Sequence, residues 1–368
     1  MSGLKNYHYP NGFELENGQV LEQLNISYHT YGTLNEAHNN VVWICHALTA
    51  NSDVSDWWKG FVGTDAVINP DEHFIVCANI LGSHYGTTGP LSTDPKTGNP
   101  YFHYFPEVTI RDMVKAHQLL AAHLGIKQIE LLIGGSLGGQ QALEWSVQEP
   151  RRISKLLVTA TNARHSPWGI AFNESQRLAI LADRSYYSQK PDGGSKGLRA
   201  ARSIALLSYR NYRTYSATQN EETHEKSADF RASSYQRYQG DKLVNRFNAY
   251  SYIRLGQAMD SHNLGRGRGG LEKALSSIKA KTLVVGIDSD LLFPIEEQQY
   301  LAKHITGAVY AEIPSLYGHD GFLLEISELT KLVKKLFVDE DHNTDTPHTE
   351  AIADAVGVND STLQHINK

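Results

Sequence analysis

One stretch of the sequence, residues 129–149, constrains the fold more than any other: it reads IELLIGGSLGGQQALEWSVQE. It predicts a buried strand, a glycine-rich corner of the form G-x-S-x-G centred on Ser136, and a helix with apolar residues at helical spacing. So tight a turn holds the serine in a strained backbone conformation, with Oγ projecting at the carboxyl end of the strand. The stretch therefore predicts a nucleophile, against the alternative of an ordinary glycine-rich strand-to-helix turn.

The distribution of charge limits the partners of the chain. Its 368 residues carry a net charge of −6, and residues 339–368 alone hold seven carboxylates against one basic residue, Lys368. The balanced remainder offers no basic field for nucleic acid or an anionic membrane, so an anionic cofactor would need a local pocket. No apolar run reaches the ~18 residues of a membrane span, and residues 1–10 lack the apolar core of a signal peptide. These features predict a cytoplasmic protein.

The two cysteines give no sign of a disulfide framework or a metal site. Cys45 and Cys77 lie in apolar strand-like runs, which is typical of buried, reduced thiols. Burial raises the pKa of a thiol, so Cys45 is silenced as a rival nucleophile. Paired cysteine and histidine ligands are absent from the sequence, so we expect no metal and no permanently bound cofactor.

Apolar runs alternate with helical patterns along much of the chain. Besides the strand before Ser136, the predicted strands are residues 41–45, 74–80, 153–160, 281–287 and 309–313, and residues 110–124 are predicted to form a helix. This alternation predicts an α/β fold with a mostly parallel central sheet and helices on both faces. Near the N-terminus, segments 13–16 and 24–30 flank the turn signal Asn17-Gly18, which predicts an opening antiparallel hairpin.

Residues 164–270 follow a different pattern, with long polar segments and apolar residues at helical spacing. We interpret them as a helical cap (lid) inserted over the serine. The predicted division is an α/β core of residues 1–163 and 271–338, a cap of residues 164–270, and an acidic, disordered tail of residues 339–368. In the glycine-rich return to the sheet, Arg266 and Arg268 are expected to be solvated, against the alternative that they meet phosphates.

Ser136 needs a base, and the base needs an orienting acid. On strand-turn-helix scaffolds of this kind the order is Ser, Asp, His, each after a later strand. We choose Asp290 as the acid because Asp288 still belongs to the strand end, against the alternative that both aspartates only cap the loop. His319, after the last predicted strand, is the expected base. The backbone N–H of Leu137 is one expected oxyanion donor, and the loop at residues 46–50 should supply the other.

With these residues placed, the sequence resembles the homoserine O-acetyltransferase family of α/β hydrolases over nearly all of residues 8–335. The segments that carry the resemblance are CHALTA (45–50), NILGSHYGTTGP (79–90), TIRDMV (109–114), GGSLGGQQALEW (134–145), AFNESQR (171–177), YQRYQGDKLVNRFNAYSY (235–252) and YGHDGFL (317–323). Several independent segments in the right order are far more specific than the pentapeptide around Ser136.

The resemblance implies an α/β-hydrolase fold and acyl transfer from acetyl-CoA, as co-substrate, to the side-chain hydroxyl of L-homoserine in methionine biosynthesis. The reaction would be ping-pong through a Ser136 acyl-enzyme. By the same resemblance Leu48 is the second oxyanion donor, Arg202 and Tyr209 hold the amino acid's carboxylate and neighbouring groups, and Asp320 pairs with its ammonium. Arg202 offers a two-point fork for a carboxylate, and a spacing of seven places Arg202 and Tyr209 on one helix face.

The residues alone leave several roles and substrates open. Without the resemblance to the family, the sequence would equally allow Arg202 to be solvated and Asp320 to cap the helix that follows it. The family often has Met at the position of Leu137, which leaves the backbone donor intact, and Gly at that of Ala50, which affects loop shape and leaves succinyl-CoA open as donor. Serine as acceptor, an esterase with the same three residues, and an inactive binding scaffold also stay open. Tyr and Arg in the cap predict a homodimer.

Overall fold

The computed structural model describes residues 3–338, so the predicted tail at residues 339–368 lies outside the described residues. The strands are β1 (Lys5–Tyr9), β2 (Phe13–Glu14), β3 (Val20–Leu21), β4 (Leu24–Tyr31), β5 (Val41–Cys45), β6 (Phe74–Ala78), β7 (Ile129–Gly135), β8 (Ile153–Thr159), β9 (Lys281–Ile287) and β10 (Val309–Ile313). Eight of them form one sheet in the order β1-β4-β6-β5-β7-β8-β9-β10. Neighbours from β6 to β10 are parallel, whereas β4 is antiparallel to both β1 and β6.

Helices separate most of the parallel strands. They are α1 (Val54–Trp57), α2 (Ile110–His123), α3 (Leu137–Gln148), α4 (Pro167–Leu181), α5 (Ser195–Tyr209), α6 (Tyr212–Thr218), α7 (Arg231–Val244), α8 (Ala249–Asp260), α9 (Leu271–Ser276), α10 (Ile295–His304), α11 (Gly321–Leu324) and α12 (Ile326–Val338). The α/β-hydrolase prediction is confirmed, and α4 to α8 form the helical insertion between β8 and β9.

Both faces of the sheet are covered at its centre, which explains why β5 and β6 are apolar without interruption. In β5, the side chains of Val41, Trp43 and Cys45 belong to one buried cluster, and those of Val42 and Ile44 belong to a second cluster on the opposite face. The first cluster also contains residues of α2, α3 and α10, and the second contains residues of α1 and α12. The sheet thus lies between two helical layers, as a parallel sheet requires.

The predicted opening hairpin, in which segment 13–16 pairs with segment 24–30, is wrong in its strand pairing. The turn is present, and Gly18 adopts a φ of 83° that favours glycine, but β2 pairs with the two-residue strand β3. The longer strand β4 instead pairs with β1, which was not predicted, and with β6. The turn signal is local, whereas the partner of β4 is decided by which sheet edge it can extend.

The expectation that Arg266 and Arg268 are solvated is wrong for Arg268, whereas the side chain of Arg266 is 41% exposed. Arg268 forms an ion pair with Glu144 of α3, whose side chain is only 1% exposed, and Nη1 of Arg268 donates to Glu144 Oε2 over 2.8 Å. Arg266 donates to Glu16 over 2.8 Å, and Arg111 bridges the two carboxylates. The return from the cap to the sheet is therefore fastened to the helix that follows Ser136.

Two negative findings apply to residues 3–338 alone. None of the helices in this part of the chain is both long and apolar enough to cross a membrane. No group of three or more His, Cys, Asp or Glu side chains there is arranged to hold a metal ion.

Candidate active site

Ser136 lies at the corner between β7 and α3, where close backbone packing requires glycine. Ser136 directly precedes the first turn of α3. Its φ of 56° and ψ of −127° are unusual for a residue with a side chain. A Cβ on Gly134 would lie 2.1 Å from the carbonyl oxygen of Gly138, and one on Gly138 would lie 2.0 Å from that of Cys45. The flanking glycines therefore let the strand and helix close around the serine.

Three loops bring the predicted catalytic side chains together. The Ser136 Oγ–H donates to His319 Nε2 over 2.9 Å, and His319 Nδ1–H donates to Asp290 Oδ2 over 2.7 Å. His319 lies in a short 3₁₀ turn, Gly318–Asp320, that follows β10, and Asp290 follows β9. The three residues are 183 and 29 positions apart in sequence, yet each is no more than 5% exposed. This is the geometry of a nucleophile, a base and an orienting acid.

The loop that carries Asp290 holds its carboxylate in one orientation. Oδ1 accepts hydrogen bonds from the backbone N–H of Leu292 over 2.8 Å and of Phe293 over 2.9 Å, which leaves Oδ2 for the imidazole. The neighbouring Asp288 is exposed and accepts from the backbone N–H of Ser315 over 2.9 Å. The structure therefore separates the two aspartates between which the sequence had to choose.

The surroundings of His319 set its protonation. Burial disfavours the imidazolium ion, but the charge and hydrogen bond of Asp290 outweigh it, so the pKa of His319 is raised above its ordinary value. The ring of Phe293 stacks on the imidazole at a centroid distance of 5.2 Å, and Phe322 contacts it edge-on at 5.5 Å. These rings fix the plane of the base and keep water away from it.

The loop after β5 is held beside Ser136 by a buried histidine. The backbone N–H of Ile80 donates to His46 Nε2 over 3.1 Å, so the ring proton must be on Nδ1, which donates to the Ala47 carbonyl over 2.9 Å. Burial lowers the pKa of His46 to about 4, so the ring is neutral. Within residues 3–338 the backbone N–H groups of Leu48 and Leu137 have no hydrogen-bond acceptor, and Leu48 lines the same cavity as Ser136.

A cavity of about 440 Å³ opens above Ser136, between the sheet and the cap. Helix α5 contributes Arg202 and Tyr209 to its wall, as the shared helix face predicts. The Arg202 guanidinium lies over the Tyr209 ring, 5.2 Å from its centroid, and that ring is 5.5 Å from the ring of His319. A carboxylate held by Arg202 would therefore lie within one small molecule's length of the serine.

Asp320 also lines the cavity, but it has a partner that the sequence reasoning missed. Nη1 of Arg210 donates to Asp320 Oδ2, which joins the end of the cap helix α5 to the loop that carries His319. The alternative that Asp320 caps the following helix is not supported, because its side chain makes no capping hydrogen bond there. Arg210 directly follows Tyr209, so only its position beside a predicted site residue could have pointed to it.

The sequence reasoning also missed the residues that join the cap to the loop after β5. Arg246 donates to the carbonyl oxygen of Thr49, to its hydroxyl over 3.3 Å, and to the hydroxyl of Tyr85 over 2.8 Å. Lys242, Trp57 and Asp56 line the same cavity. The segments CHALTA and YQRYQGDKLVNRFNAYSY contain Thr49, Lys242 and Arg246, so the resemblance marked the regions without assigning the side chains.

Comparison with known proteins agrees with this geometry. A family model described as the alpha/beta hydrolase fold matches residues 40–326. A homoserine O-acetyltransferase from Cyclobacterium marinum is 47% identical over 333 residues, which cover 90% of this chain and 95% of that protein. The chain belongs to the homoserine O-acetyltransferase family. Another member, from Trichormus variabilis, is 46% identical and covers 89% of this chain and 92% of its own length.

A solved structure of a family member has the same fold. The crystal structure of homoserine O-acetyltransferase from Bacillus anthracis matches with a TM-score of 0.83 at 26% identity, over 91% of this chain and 98% of that one. Family membership confirms the resemblance drawn from the sequence segments. The protein is therefore an acyltransferase of the α/β-hydrolase superfamily, and the geometry of its site must explain how an acyl group is passed on.

Proposed function

We propose that the protein transfers the acetyl group of acetyl-CoA to the side-chain hydroxyl of L-homoserine and releases O-acetyl-L-homoserine and CoA. The observation that carries the proposal is the hydrogen-bonded line from Ser136 through His319 to Asp290, buried beneath the cap. It is supported by relatives at 46–47% identity that are named homoserine O-acetyltransferase. No permanently bound cofactor takes part in the proposed reaction. Its product would serve methionine biosynthesis.

In the first half-reaction Ser136 Oγ attacks the thioester carbonyl, and His319 Nε2 accepts the hydroxyl proton. The carbonyl oxygen becomes an oxyanion, which the backbone N–H groups of Leu48 and Leu137 stabilise. The C–S bond then breaks, and CoA leaves as a thiol with the proton that His319 returns. Asp290 holds the imidazole in the correct tautomer throughout, because its Oδ2 accepts from Nδ1–H.

In the second half-reaction the homoserine hydroxyl attacks the acetyl ester, and His319 removes its proton. The same two N–H groups stabilise the second oxyanion, and Ser136 leaves with the proton returned by His319. Arg202 would form a two-point contact with the substrate carboxylate, and Tyr209 would contact the neighbouring groups. Asp320 would accept a hydrogen bond from the substrate ammonium. A carboxylate has several acceptor positions, and Arg210 uses only one of its oxygens, Oδ2.

The main rival is an esterase, in which water attacks the acyl-enzyme. The burial of the site favours transfer, because an acyl-enzyme open to solvent hydrolyses before a dilute acceptor can attack. Ser136 and His319 are 5% and 4% exposed, and the helices α5 and α7 of the cap supply residues to the cavity above them. Succinyl-CoA as donor and serine as acceptor differ from the proposed substrates by small pocket contacts.

The proposal extends to assembly and location. Large apolar side chains are exposed on the cap helices, which supports a homodimer through the cap: Leu178 is 58% exposed, Leu207 56%, Tyr212 85% and Tyr238 60%. A cytoplasmic location is proposed because acetyl-CoA is an intracellular metabolite. Sedimentation as a monomer at micromolar concentration would exclude the dimer.

The decisive experiment follows free thiol while acetyl-CoA or succinyl-CoA is combined with homoserine, serine or no acceptor. We expect sustained CoA release only with acetyl-CoA and homoserine, with an acetylated amino acid in equal amount, whereas acetyl-CoA without acceptor should release no more than the CoA of one acylation of Ser136. Release that does not respond to homoserine, together with cleavage of a simple acetyl ester, would establish the esterase instead. A Ser136→Ala variant should abolish both reactions, which controls for a contaminating activity.

A further inference from the structure

The rim of the active-site cavity carries two basic side chains from one end of helix α7. Lys242 lies in the last turn of that helix, and Arg246 lies four positions further along, just past its end. Both line the cavity that contains Ser136. The C-terminus of a helix carries a partial negative charge, which favours cations there. Positive charge is thus concentrated at the entrance in a protein that outside its C-terminal tail is balanced in charge.

The two cations differ in what they already bind. The guanidinium of Arg246 donates to the backbone carbonyl and hydroxyl of Thr49 and to the hydroxyl of Tyr85, so it fastens the cap to the loop after β5. Lys242 is exposed, and its ammonium has neither a hydrogen bond nor an ion pair among residues 3–338. Arg246 therefore has a partner in the fold, whereas Lys242 has the freedom to take one from a ligand.

The size of the cavity decides which part of a large donor reaches Lys242. Small-molecule sites typically occupy about 300–1,000 Å³, and this cavity has about 440 Å³. It can hold the acetyl thioester and much of the pantetheine arm, which are uncharged. The nucleotide end of acetyl-CoA, with its diphosphate and 3′-phosphate, must then remain at the rim, where a nearby cation would attract its negative charge.

We propose that Lys242 binds a phosphate group of the acyl-CoA donor at the cavity rim and thereby sets the affinity for the donor without taking part in the chemistry. The proposal rests on the proposed function, in that it names the donor subsite of the same cavity. Lysine suits this task because its ammonium is a compact charge on a flexible stem that can follow a solvated phosphate. Two carboxylates line the same cavity: Asp320 is paired with Arg210, and Asp56 is exposed and opposes the charge of Lys242.

The first test compares Lys242→Met with wild type on two donors, acetyl-CoA and S-acetyl-N-acetylcysteamine, which is the same thioester without phosphate. We expect the KM for acetyl-CoA to rise by roughly ten-fold, as for the loss of one charge-assisted contact. The kcat, the KM for homoserine and the kinetics of the phosphate-free donor should not change. Lys242→Arg should restore most of the affinity. An equal rise for both donors, or none for acetyl-CoA, would overturn the proposal.

Two further measurements use the sign of the charge. Raising the salt concentration should raise the KM of wild type for acetyl-CoA, and the effect should be smaller in Lys242→Met because a screened contact has been removed. The matched control is Asp56→Asn, which removes a carboxylate from the same rim and should lower the KM for acetyl-CoA. An increase in that KM would contradict the electrostatic argument.

A binding measurement separates this proposal from the proposed function. Calorimetry on wild type and Lys242→Met uses CoA and pantetheine as ligands, so no turnover is required. If the variant binds CoA more weakly than wild type but binds pantetheine equally well, the phosphate site is supported even if acetyl transfer to homoserine is not found. Normal acetyl transfer, with unchanged CoA binding in the variant, would remove the site and leave the proposed function intact.

Discussion

The substitution Asp290→Asn tests the proposed mechanism most sharply, because the loop around this residue dictates how an amide must lie. In the wild type Oδ1 accepts from the backbone N–H groups of Leu292 and Phe293. In the variant the amide oxygen must take that place, since an NH₂ group would face two donors. The NH₂ group then points at His319 Nδ1 and donates to it, so the ring proton moves to Nε2. In that tautomer the imidazole cannot accept the proton of Ser136.

The expected loss is large. With the wrong tautomer prevailing, kcat should fall by about 10⁴-fold, the size of effect seen when an orienting aspartate of a serine triad is replaced by asparagine. This corresponds to about 5 kcal/mol of lost transition-state stabilisation. The KM for homoserine should change little, because Arg202 and Asp320 are untouched. The matched control is Asp288→Asn, at an exposed position two residues away. The asparagine oxygen can still accept the hydrogen bond from the backbone N–H of Ser315, so the kcat of this variant should stay within about twofold of wild type.

The pH dependence gives a second readout of the same substitution. Only neutral His319 can accept the serine proton, so the rate rises with pH as the imidazolium loses its proton. Because Asp290 raises the pKa of His319, the acid limb of kcat/KM in wild type should lie above the ordinary histidine value of about 6.5. In Asp290→Asn the negative charge is gone and the effect of burial on the His319 pKa dominates, so the acid limb of the residual activity should move to lower pH. A loss of less than ten-fold with an unmoved limb would refute the reasoning.

Three further substitutions address the surroundings of the site. Glu144→Gln leaves Arg268 without its buried partner and should lower the free energy of unfolding by about 3 kcal/mol, measured by urea denaturation. Arg202→Met should raise the KM for homoserine by roughly 10²-fold while the first half-reaction, followed as a burst of thiol, is unchanged. Arg246→Met should lower kcat by roughly ten-fold for acetyl-CoA and the phosphate-free donor alike, because it frees the loop that carries Leu48. A loss confined to acetyl-CoA would instead make Arg246 a phosphate ligand.

The sequence predicted that Ser136, Asp290 and His319 would meet, because the place of each follows from the order of strands and loops along the chain. Gly134 is required by a contact within the corner itself, with the backbone of Gly138, and Asp290 and His319 lie in the loops that follow β9 and β10. Parallel strands end at one edge of the sheet, so residues after three such strands converge there. The geometry of the site is thus implied by the order of elements, without knowledge of any long-range contact.

What the sequence did not predict depends on which distant residues meet. Arg266 and Arg268 pair with carboxylates 250 and 124 positions away, and nothing in the glycine-rich segment around them distinguishes these arginines from arginines without a carboxylate partner. The pair of Arg210 with Asp320 joins residues 110 positions apart across the boundary between cap and core. Such pairs are set by the packing of the cap on the sheet, which residue periodicity does not specify.

The order of the two half-reactions follows from the number of reacting groups in the cavity. The imidazole of His319 presents one free nitrogen, Nε2, and Ser136 is its hydrogen-bond partner at 2.9 Å. The thioester and the acceptor hydroxyl must therefore occupy the same space beside Nε2, one after the other, and the cavity of about 440 Å³ leaves little room for both. In the proposed mechanism CoA therefore leaves before homoserine is activated. Double-reciprocal plots at several homoserine concentrations should then be parallel, and acetyl-Ser136 should accumulate without acceptor. Intersecting lines with no acetylated serine would mean direct transfer between two bound substrates and would refute the Ser136 acyl-enzyme.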